Sequence, residues 1–138
     1  MERTLTIIKP DAVERNLVGT ILAAVEAGGL KIVGLKMTGL TDKTAGDFYQ
    51  VHRGKDFFEK LAAYMSSGPI VVAVVEGDDA IARLRSICGA TDPAAAAPGT
   101  IRASHGVNLT MNSVHASDSV ASARYEIGFF FPEMVPCY

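Results

Sequence analysis

The sequence predicts an α+β fold of ferredoxin-like topology, in which helices pack on one face of a four-stranded antiparallel sheet and a long loop precedes the last strand. Hydrophobic periodicity gives the first six major elements in the order β-α-β-α-β-α, which is the split β-α-β arrangement. A continuous, mostly β-branched run at residues 70–75 predicts a strand that is buried on both faces. A length of 138 residues, without an interdomain linker or an internal repeat, predicts one domain over residues 1–138.

The N-terminal part of the chain predicts two strands separated by a helix. Residues 4–8 alternate and then become fully apolar, as a partly buried strand does. From Val18 the apolar residues recur at helical spacing, and the Gly28-Gly29 pair ends this helix. Residues 30–40 predict a long strand, in which Gly34 marks a bulge or a bend.

The middle of the chain predicts three helices around the buried strand. Thr41 is a suitable N-cap for a helix that reaches about Val51, and a second helix follows over residues 56–65. A Ser-Ser-Gly-Pro turn then leads into the buried strand. The third helix opens at the Gly77-Asp78-Asp79 turn and has one apolar side.

A long loop separates this part from the last strand and helix. Residues 88–111 show little periodicity and contain two prolines, and loops of this length are usually functional or disordered. An ordinary mobile surface loop is the alternative. Val114-His115 predicts a short last strand, and residues 118–127 predict a helix whose inward side includes Val120.

Composition and charge argue against several classes of partner and location. The net charge is −2 and the basic residues form no cluster, which argues against nucleic-acid and anionic membrane partners. The two cysteines form no C-x-x-C pair, so neither a disulfide framework nor a metal site is expected. The N-terminal residues lack the pattern of a signal peptide, and no apolar run is long enough to cross a bilayer. We expect a cytoplasmic protein.

His115 is the strongest candidate for chemistry. It stands just before Ser117, Asp118 and Ser119, which are all favourable N-cap residues. A helix N-terminus presents free N–H groups and a positive dipole end, and therefore favours phosphate. An unprotonated imidazole is a capable nucleophile. The segment suggests phosphoryl transfer through a phosphohistidine, although an ordinary histidine before a capped helix remains the alternative.

Four motifs in order make the chain resemble the nucleoside diphosphate kinases over residues 3–131. The motifs are Ile8-Lys9-Pro10-Asp11, Ser67-Gly68-Pro69, Pro98-Gly99-Thr100-Ile101-Arg102 and Asn112-x-x-His115-x-Ser117-Asp118-Ser119. The resemblance implies transfer of a γ-phosphate from a nucleoside triphosphate to a nucleoside diphosphate, by a ping-pong reaction through His115. It also implies broad base specificity, Mg²⁺ held mainly by the nucleotide phosphates, and assembly as a homo-tetramer or homo-hexamer.

The resemblance further implies a role for each catalytic residue. Glu126 would accept a hydrogen bond from the second ring nitrogen of His115, and Ser117 would hydrogen-bond near both. Lys9 would contact the transferred phosphate, and the Tyr49 hydroxyl would reach the phosphate region. Each also has an ordinary explanation, such as a solvated helix face for Glu126 or a surface position at a strand end for Lys9.

Five residues would bind the nucleotide if the resemblance holds. Arg85, Thr91 and Arg102 match phosphate ligands, and the planar fork of arginine suits phosphate oxygens. Asn112 would hydrogen-bond the ribose and Phe57 would stack on the base, although core packing is a rival explanation for Phe57. No residue of the chain is expected to ligate the metal directly.

Several positions depart from the family pattern and leave other functions open. Ser104 and His105 replace an acidic residue and an aromatic one, Ala95 a residue that is often acidic, Asp56 a frequent proline, and Ala116 a frequent glycine. These changes concern the loop and subunit contacts more than the chemistry. The alternatives are a catalytically weak homologue acting as a nucleotide-binding regulatory protein, and a ferredoxin-like sensor of small ligands.

Overall fold

The computed structural model describes residues 1–137, with side chains through Met134. The strands are β1 Glu2–Ile8, β2 Lys31–Thr38, β3 Ile70–Gly77 and β4 Val114–Ala116. The α-helices are α1 Pro10–Glu14, α2 Val18–Ala27, α3 Asp42–Phe48, α4 Phe58–Met65, α5 Ala80–Cys88, α6 Ile101–His105 and α7 Val120–Phe130. Short 3₁₀ segments cover Gln50–His52, Pro93–Ala95 and Pro132–Cys137.

The four strands form one antiparallel sheet in the order β2-β3-β1-β4, which confirms the predicted fold class. In β1, Leu5 lies opposite Val74 of β3, and Ile7 lies opposite His115 of β4. The β2–β3 register shifts at Gly34, where the sequence predicts a bulge. The sheet therefore places the short strand β4 at one edge, beside the C-terminal end of β1.

Helices cover both faces of the sheet, so the expectation of helices on one face is wrong. Side chains alternate along β1: Leu5 and Ile7 join one core with α3, α4 and α7, whereas Ile8 joins a second core with α1, α2 and α5. β3 alternates in the same way and is buried on both sides, as its sequence predicts. The apolar sides of α3, α4 and α7 cover the face that α2 and α5 leave open.

Two further details differ from the sequence prediction. The long segment before β4 is partly ordered into α6, which Thr100 caps by accepting a hydrogen bond from the Ala103 N–H at 3.3 Å. Five helical residues are too few to show a periodicity. Val120 is 56 % exposed, because the first turn of α7 stands outside the core that Ala123 and Ile127 enter.

Candidate active site

The sheet places His115 in the wall of a cavity of about 640 Å³. Its main chain is fixed by pairing with Ile7 and by a 2.8 Å hydrogen bond from the Thr6 hydroxyl to the His115 carbonyl. The rings of Phe48 and Tyr49 meet the imidazole edge-on, with centroid distances of 5.5 and 5.9 Å. The ring is thus held between a strand and α3, and it is only 19 % exposed.

One nitrogen of the His115 ring is held by an acid. Nε2 lies 2.6 Å from Oε1 of Glu126 in α7, and the Ser117 hydroxyl donates to the same oxygen at 2.7 Å. A carboxylate partner fixes the tautomer with the proton on Nε2. No residue that the structure describes hydrogen-bonds Nδ1 of His115, so this nitrogen keeps its lone pair for an external group.

Lys9 lies immediately after β1, and only 6 % of it is exposed. Its ammonium donates to Oδ1 of Asn112 at 2.8 Å and to the Thr110 carbonyl at 3.3 Å. Burial, and to a smaller extent the positive charge of Arg102, lower the pKa of Lys9 to about 8, and the negative charge of Asp11 acts in the opposite direction. The folded protein therefore holds a cation that lacks full compensation from the protein's own acids.

Two arginines approach the same cavity from α5 and α6. Arg102 is 6 % exposed and donates to the carbonyls of Gly89 and Val114, both at 2.8 Å. Arg85 donates to the Ala116 carbonyl at 3.0 Å. Burial lowers the pKa of Arg102, and its Nε is buried without a hydrogen-bond partner. Backbone carbonyls thus orient both guanidinium groups.

The three cations favour an anionic ligand. Among the described residues, no ion pair within 4.0 Å involves Lys9, Arg85 or Arg102. Cationic groups that are buried, or that point toward one another, without an opposite charge are costly in the protein without ligand. They become favourable when an anion binds. The buried hydroxyl of Tyr49 also has no hydrogen-bond partner among the described residues, and burial raises its pKa well above the ordinary value. Phosphate oxygens could satisfy all of these groups.

The mouth of the cavity is apolar. Phe57 is 47 % exposed, and its ring lies 5.2 Å from that of His52 and 5.8 Å from the Lys55 ammonium. Leu109 lines the same cavity from the long segment before β4 and is 62 % exposed. Two exposed apolar side chains beside a cationic interior suit a ligand with a flat ring at one end and phosphates at the other.

The structure brings nearly all of the sequence-predicted site residues together. Those lining the cavity are Lys9, Tyr49, Phe57, Arg85, Thr91, Arg102, Asn112, His115 and Glu126. Ser117 is fully buried behind Glu126. Thr91 is exposed, and its carbonyl accepts a 2.9 Å hydrogen bond from the Asn112 side chain. Ser104 and His105, which depart from the family pattern, are not among the lining residues.

Sequence reasoning missed several residues that line the cavity. They are Phe48, Val51, His52, Lys60, Leu61, Leu109, Thr110, Ala116, Asp118 and Ser122. His52 follows Tyr49 by three residues and stacks on it at 6.2 Å, a spacing that could have suggested the contact. Nothing in the local sequence distinguishes Leu109 from other exposed loop residues.

The described residues hold neither a metal cluster nor a membrane span. No three His, Cys, Asp or Glu residues within the described chain are grouped so that they could hold a metal ion. No helix within the described part is long and apolar enough to cross a bilayer.

Fold and site together are those of a phosphotransferase: a sheet places a histidine, whose Nε2 is held by an acid, beside three cations in a cavity with an apolar mouth. The family model for "Nucleoside diphosphate kinase" matches residues 2–135. The nucleoside diphosphate kinase of Nitratidesulfovibrio vulgaris strain DP4 is 55 % identical over 131 residues, which cover 95 % of this chain and 94 % of that protein. This chain belongs to the nucleoside diphosphate kinase family.

Two solved structures agree with this assignment. The nucleoside diphosphate kinase of Aquifex aeolicus superimposes with a TM-score of 0.93 at 51 % identity, covering 94 % of each chain. A halophilic relative from Halobacterium salinarum, solved in complex with CDP, has a TM-score of 0.91 at 42 % identity and covers 94 % of this chain and 87 % of that one. The chain is an enzyme that transfers phosphate between nucleotides, and neither the regulatory nor the sensor alternative is favoured.

Proposed function

We propose that the reaction proceeds through a phosphohistidine on His115. Nδ1 of the neutral ring attacks the γ-phosphorus of a nucleoside triphosphate, and the bond between that phosphorus and the β,γ-bridging oxygen breaks. The nucleoside diphosphate leaves with the bonding electron pair. In the second half-reaction a terminal oxygen of another diphosphate attacks the phosphorus, the P–Nδ1 bond breaks, and its electron pair returns to Nδ1 of His115. The observation that carries this proposal is the 2.6 Å contact between Nε2 and Glu126, which leaves Nδ1 free.

Lys9, Arg85 and Arg102 are proposed to bind the phosphates and to stabilise the charge that develops on the transferred group. Their backbone and side-chain anchors orient them before the substrate arrives, which is the condition for electrostatic stabilisation without reorganisation. The unpartnered Tyr49 hydroxyl would donate to a phosphate oxygen beside His115. Thr91, at the start of the segment that carries α6, would add a contact to the phosphates.

Glu126 and Ser117 are proposed to support the nucleophile. The carboxylate stabilises positive charge as the ring becomes a phosphoimidazolium, and it holds the ring in one orientation. Ser117 fixes the carboxylate by its 2.7 Å hydrogen bond. Neither residue needs to touch the nucleotide.

Phe57 and Asn112 are proposed to bind the nucleoside. A half-exposed ring at the cavity mouth can stack on any base, because stacking reads no donor–acceptor pattern. The CDP complex of the Halobacterium salinarum relative is consistent with a pyrimidine nucleotide as ligand here. The amide of Asn112 already bonds Lys9, the Thr91 carbonyl and, at 3.2 Å, the Leu109 carbonyl, so a ribose hydroxyl would have to share or replace one of these contacts.

The proposed substrate is the Mg²⁺ complex of the nucleotide. The acids in the cavity are already engaged: Glu126 by His115 and Ser117, and Asp118 by the Ser122 hydroxyl at 2.7 Å. Phosphate oxygens are suitable ligands for Mg²⁺, and the ion commonly enters kinase sites on them. When bound, Mg²⁺ neutralises phosphate charge.

Assembly and location are proposed on physical grounds. β2 is an edge strand that exposes Leu35 and Met37, by 51 % and 61 %, and a second copy of the chain could cover these side chains. We propose a homo-oligomer, a tetramer or a hexamer, of one-domain subunits. The sparse cysteines, which form no C-x-x-C pair, support a cytoplasmic location.

Intact-mass spectrometry after brief mixing with ATP and Mg²⁺, at neutral or alkaline pH, tests the mechanism. We expect a gain of one phosphate per chain, which is lost when a nucleoside diphosphate is added. The folded His115→Ala variant should gain none. A folded, nucleotide-binding wild type that gains no phosphate would contradict the proposal, and so would continued transfer by His115→Ala.

A further inference from the structure

Asp11 is a buried carboxylate that the proposed reaction does not use. It lies in the first turn of α1, is 8 % exposed and does not line the cavity. The Tyr64 hydroxyl donates to its Oδ1, Arg15 donates to Oδ2 at 2.9 Å, and the Ser113 hydroxyl donates to Oδ2 at 3.3 Å. Burial of a carboxylate is costly unless its oxygens are paired and hydrogen-bonded, and these three donors meet that condition.

Ser113 connects this carboxylate to Lys9. Its φ of 74° lies in the left-handed region, which is strained for a non-glycine residue, and its side chain is fully buried. The Ser113 carbonyl accepts a 2.9 Å hydrogen bond from the Lys9 N–H. The preceding residue, Asn112, accepts the 2.8 Å hydrogen bond from the Lys9 ammonium. The Asn112-Ser113 corner therefore holds both ends of Lys9.

We propose that Asp11 is a positioning residue for Lys9: its carboxylate fixes the strained Asn112-Ser113 corner and places a buried negative charge close to the ammonium. The corner keeps its strained conformation because the Ser113 hydroxyl donates a hydrogen bond to Asp11 and accepts one from Arg15. Asp11 thereby acts on the reaction through Lys9, without touching the nucleotide.

Charge is the second way in which Asp11 acts. Burial and Arg102 lower the pKa of Lys9 to about 8, and Asp11 is the group that opposes them. Arg15, whose side chain is 42 % exposed, partly neutralises the charge of Asp11 through its contact with Oδ2. The other charged or titratable groups that line the cavity or reach its mouth are Tyr49, His52, Lys55, Lys60, Arg85, His115, Asp118 and Glu126. Removing the Asp11 charge should therefore shift the deprotonation of Lys9 to lower pH.

The test is the pH profile of kcat/KM for phosphate transfer, which reports groups of the free enzyme and rests on the proposed function. We expect an alkaline limb near the pH at which Lys9 loses its proton. Asp11→Asn keeps the shape of the side chain and removes its charge. It should move the alkaline midpoint to lower pH by about half a unit or more and lower kcat/KM at neutral pH by about tenfold.

Tyr64→Phe is the matched control, because it removes one hydrogen bond of the same cluster and no charge. It should keep the wild-type alkaline midpoint. If Asp11→Asn folds and keeps that midpoint, Asp11 has only a structural role and the proposal is overturned. If Asp11→Asn does not fold, Arg15→Gln decides: loss of this cation should move the midpoint to higher pH, and an unmoved midpoint overturns the proposal.

A readout without turnover separates this inference from the proposed function. NMR titration of the Lys9 side chain in the nucleotide-free protein measures its pKa directly in the wild type and in Asp11→Asn. A lower Lys9 pKa in the variant supports the inference even in a protein that transfers no phosphate. An equal pKa in both overturns the electrostatic part, whatever the activity.

Discussion

Replacing Lys9 by methionine should change the stability of the protein in a way that depends on pH. Burial, with the charge of Arg102, lowers the pKa of Lys9 from its ordinary value of 10.5 to about 8. Below pH 8 both the folded and the unfolded chain bind the proton, and the folded state bears the full cost of a buried cation. Between pH 8 and 10.5 the folded state releases the proton first, so stability rises with pH. The difference between the two pKa values corresponds to about 3 kcal/mol.

Lys9→Met removes this contribution while nearly conserving the volume of the side chain. The free energy of unfolding of the wild type, minus that of the variant, should therefore rise by about 3 kcal/mol between pH 7 and pH 11. Contributions of other titrating groups are common to both proteins and cancel in the difference. At pH 7 the variant should transfer phosphate at least about a hundredfold more slowly, because the charge on the transferred group loses its partner.

Urea unfolding at a fixed protein concentration measures this difference across the pH range, since an oligomer's apparent stability depends on concentration. Lys31→Met, at an exposed position in β2, is the matched control and should give a flat difference. A flat difference for Lys9→Met would refute the reasoning that Lys9 is a cation held at a cost in the folded state. Loss of stability without loss of transfer would refute its assigned role at the phosphate.

Three further substitutions test the site. Glu126→Gln keeps a hydrogen-bond acceptor for His115 but removes the charge of the carboxylate. Stopped-flow mixing with ATP should show phosphorylation of the protein about 10- to 100-fold slower. An unchanged rate would mean that the carboxylate charge is irrelevant. Arg102→Ala should lower kcat/KM for nucleotide by about a hundredfold in steady-state assays, because an oriented phosphate ligand is lost. Equal kcat/KM values for the wild type and the variant would mean that Arg102 does not bind phosphate. Tyr49→Phe removes a buried hydroxyl that has no partner among the described residues. Thermal or urea unfolding should show a free energy of unfolding that is unchanged or higher by about 1 kcal/mol, while phosphate transfer slows by about tenfold. A destabilised variant with full activity would contradict both expectations.

The sequence predicted β1 and β3 well because their runs of apolar residues are buried in the structure. The apolar run of β3 predicted that this strand is buried, but not which helices cover the second face of the sheet. The apolar sides of α3, α4 and α7 do not indicate which surface these helices contact. α6 was not predicted because it has only five residues and because its N-cap, Thr100, lies in a loop of turn-forming residues.

The residues of the site were predicted from motifs, but their connections were not. The contact from Lys9 to Asn112 joins positions 103 residues apart, and that from Asp11 to Ser113 joins positions 102 apart. No local pattern encodes such pairs, since they depend on how β4 adds to the sheet beside β1. The same holds for Arg102, whose backbone acceptors lie in a turn and in a strand that the sequence does not associate with it.

Main-chain oxygens, rather than acids, hold the two arginines of the site, and this bears on which substitutions the site tolerates. Arg102 and Arg85 are held by the carbonyls of Gly89, Val114 and Ala116. A carbonyl is present whatever side chain the residue carries, so a substitution at Ala116 leaves the anchor in place. An acid in the same role could be lost by a single mutation and would also compete with phosphate for the arginine. The orientation of the two guanidinium groups is therefore set by the backbone, whereas that of the Lys9 ammonium also depends on the Asn112 side chain.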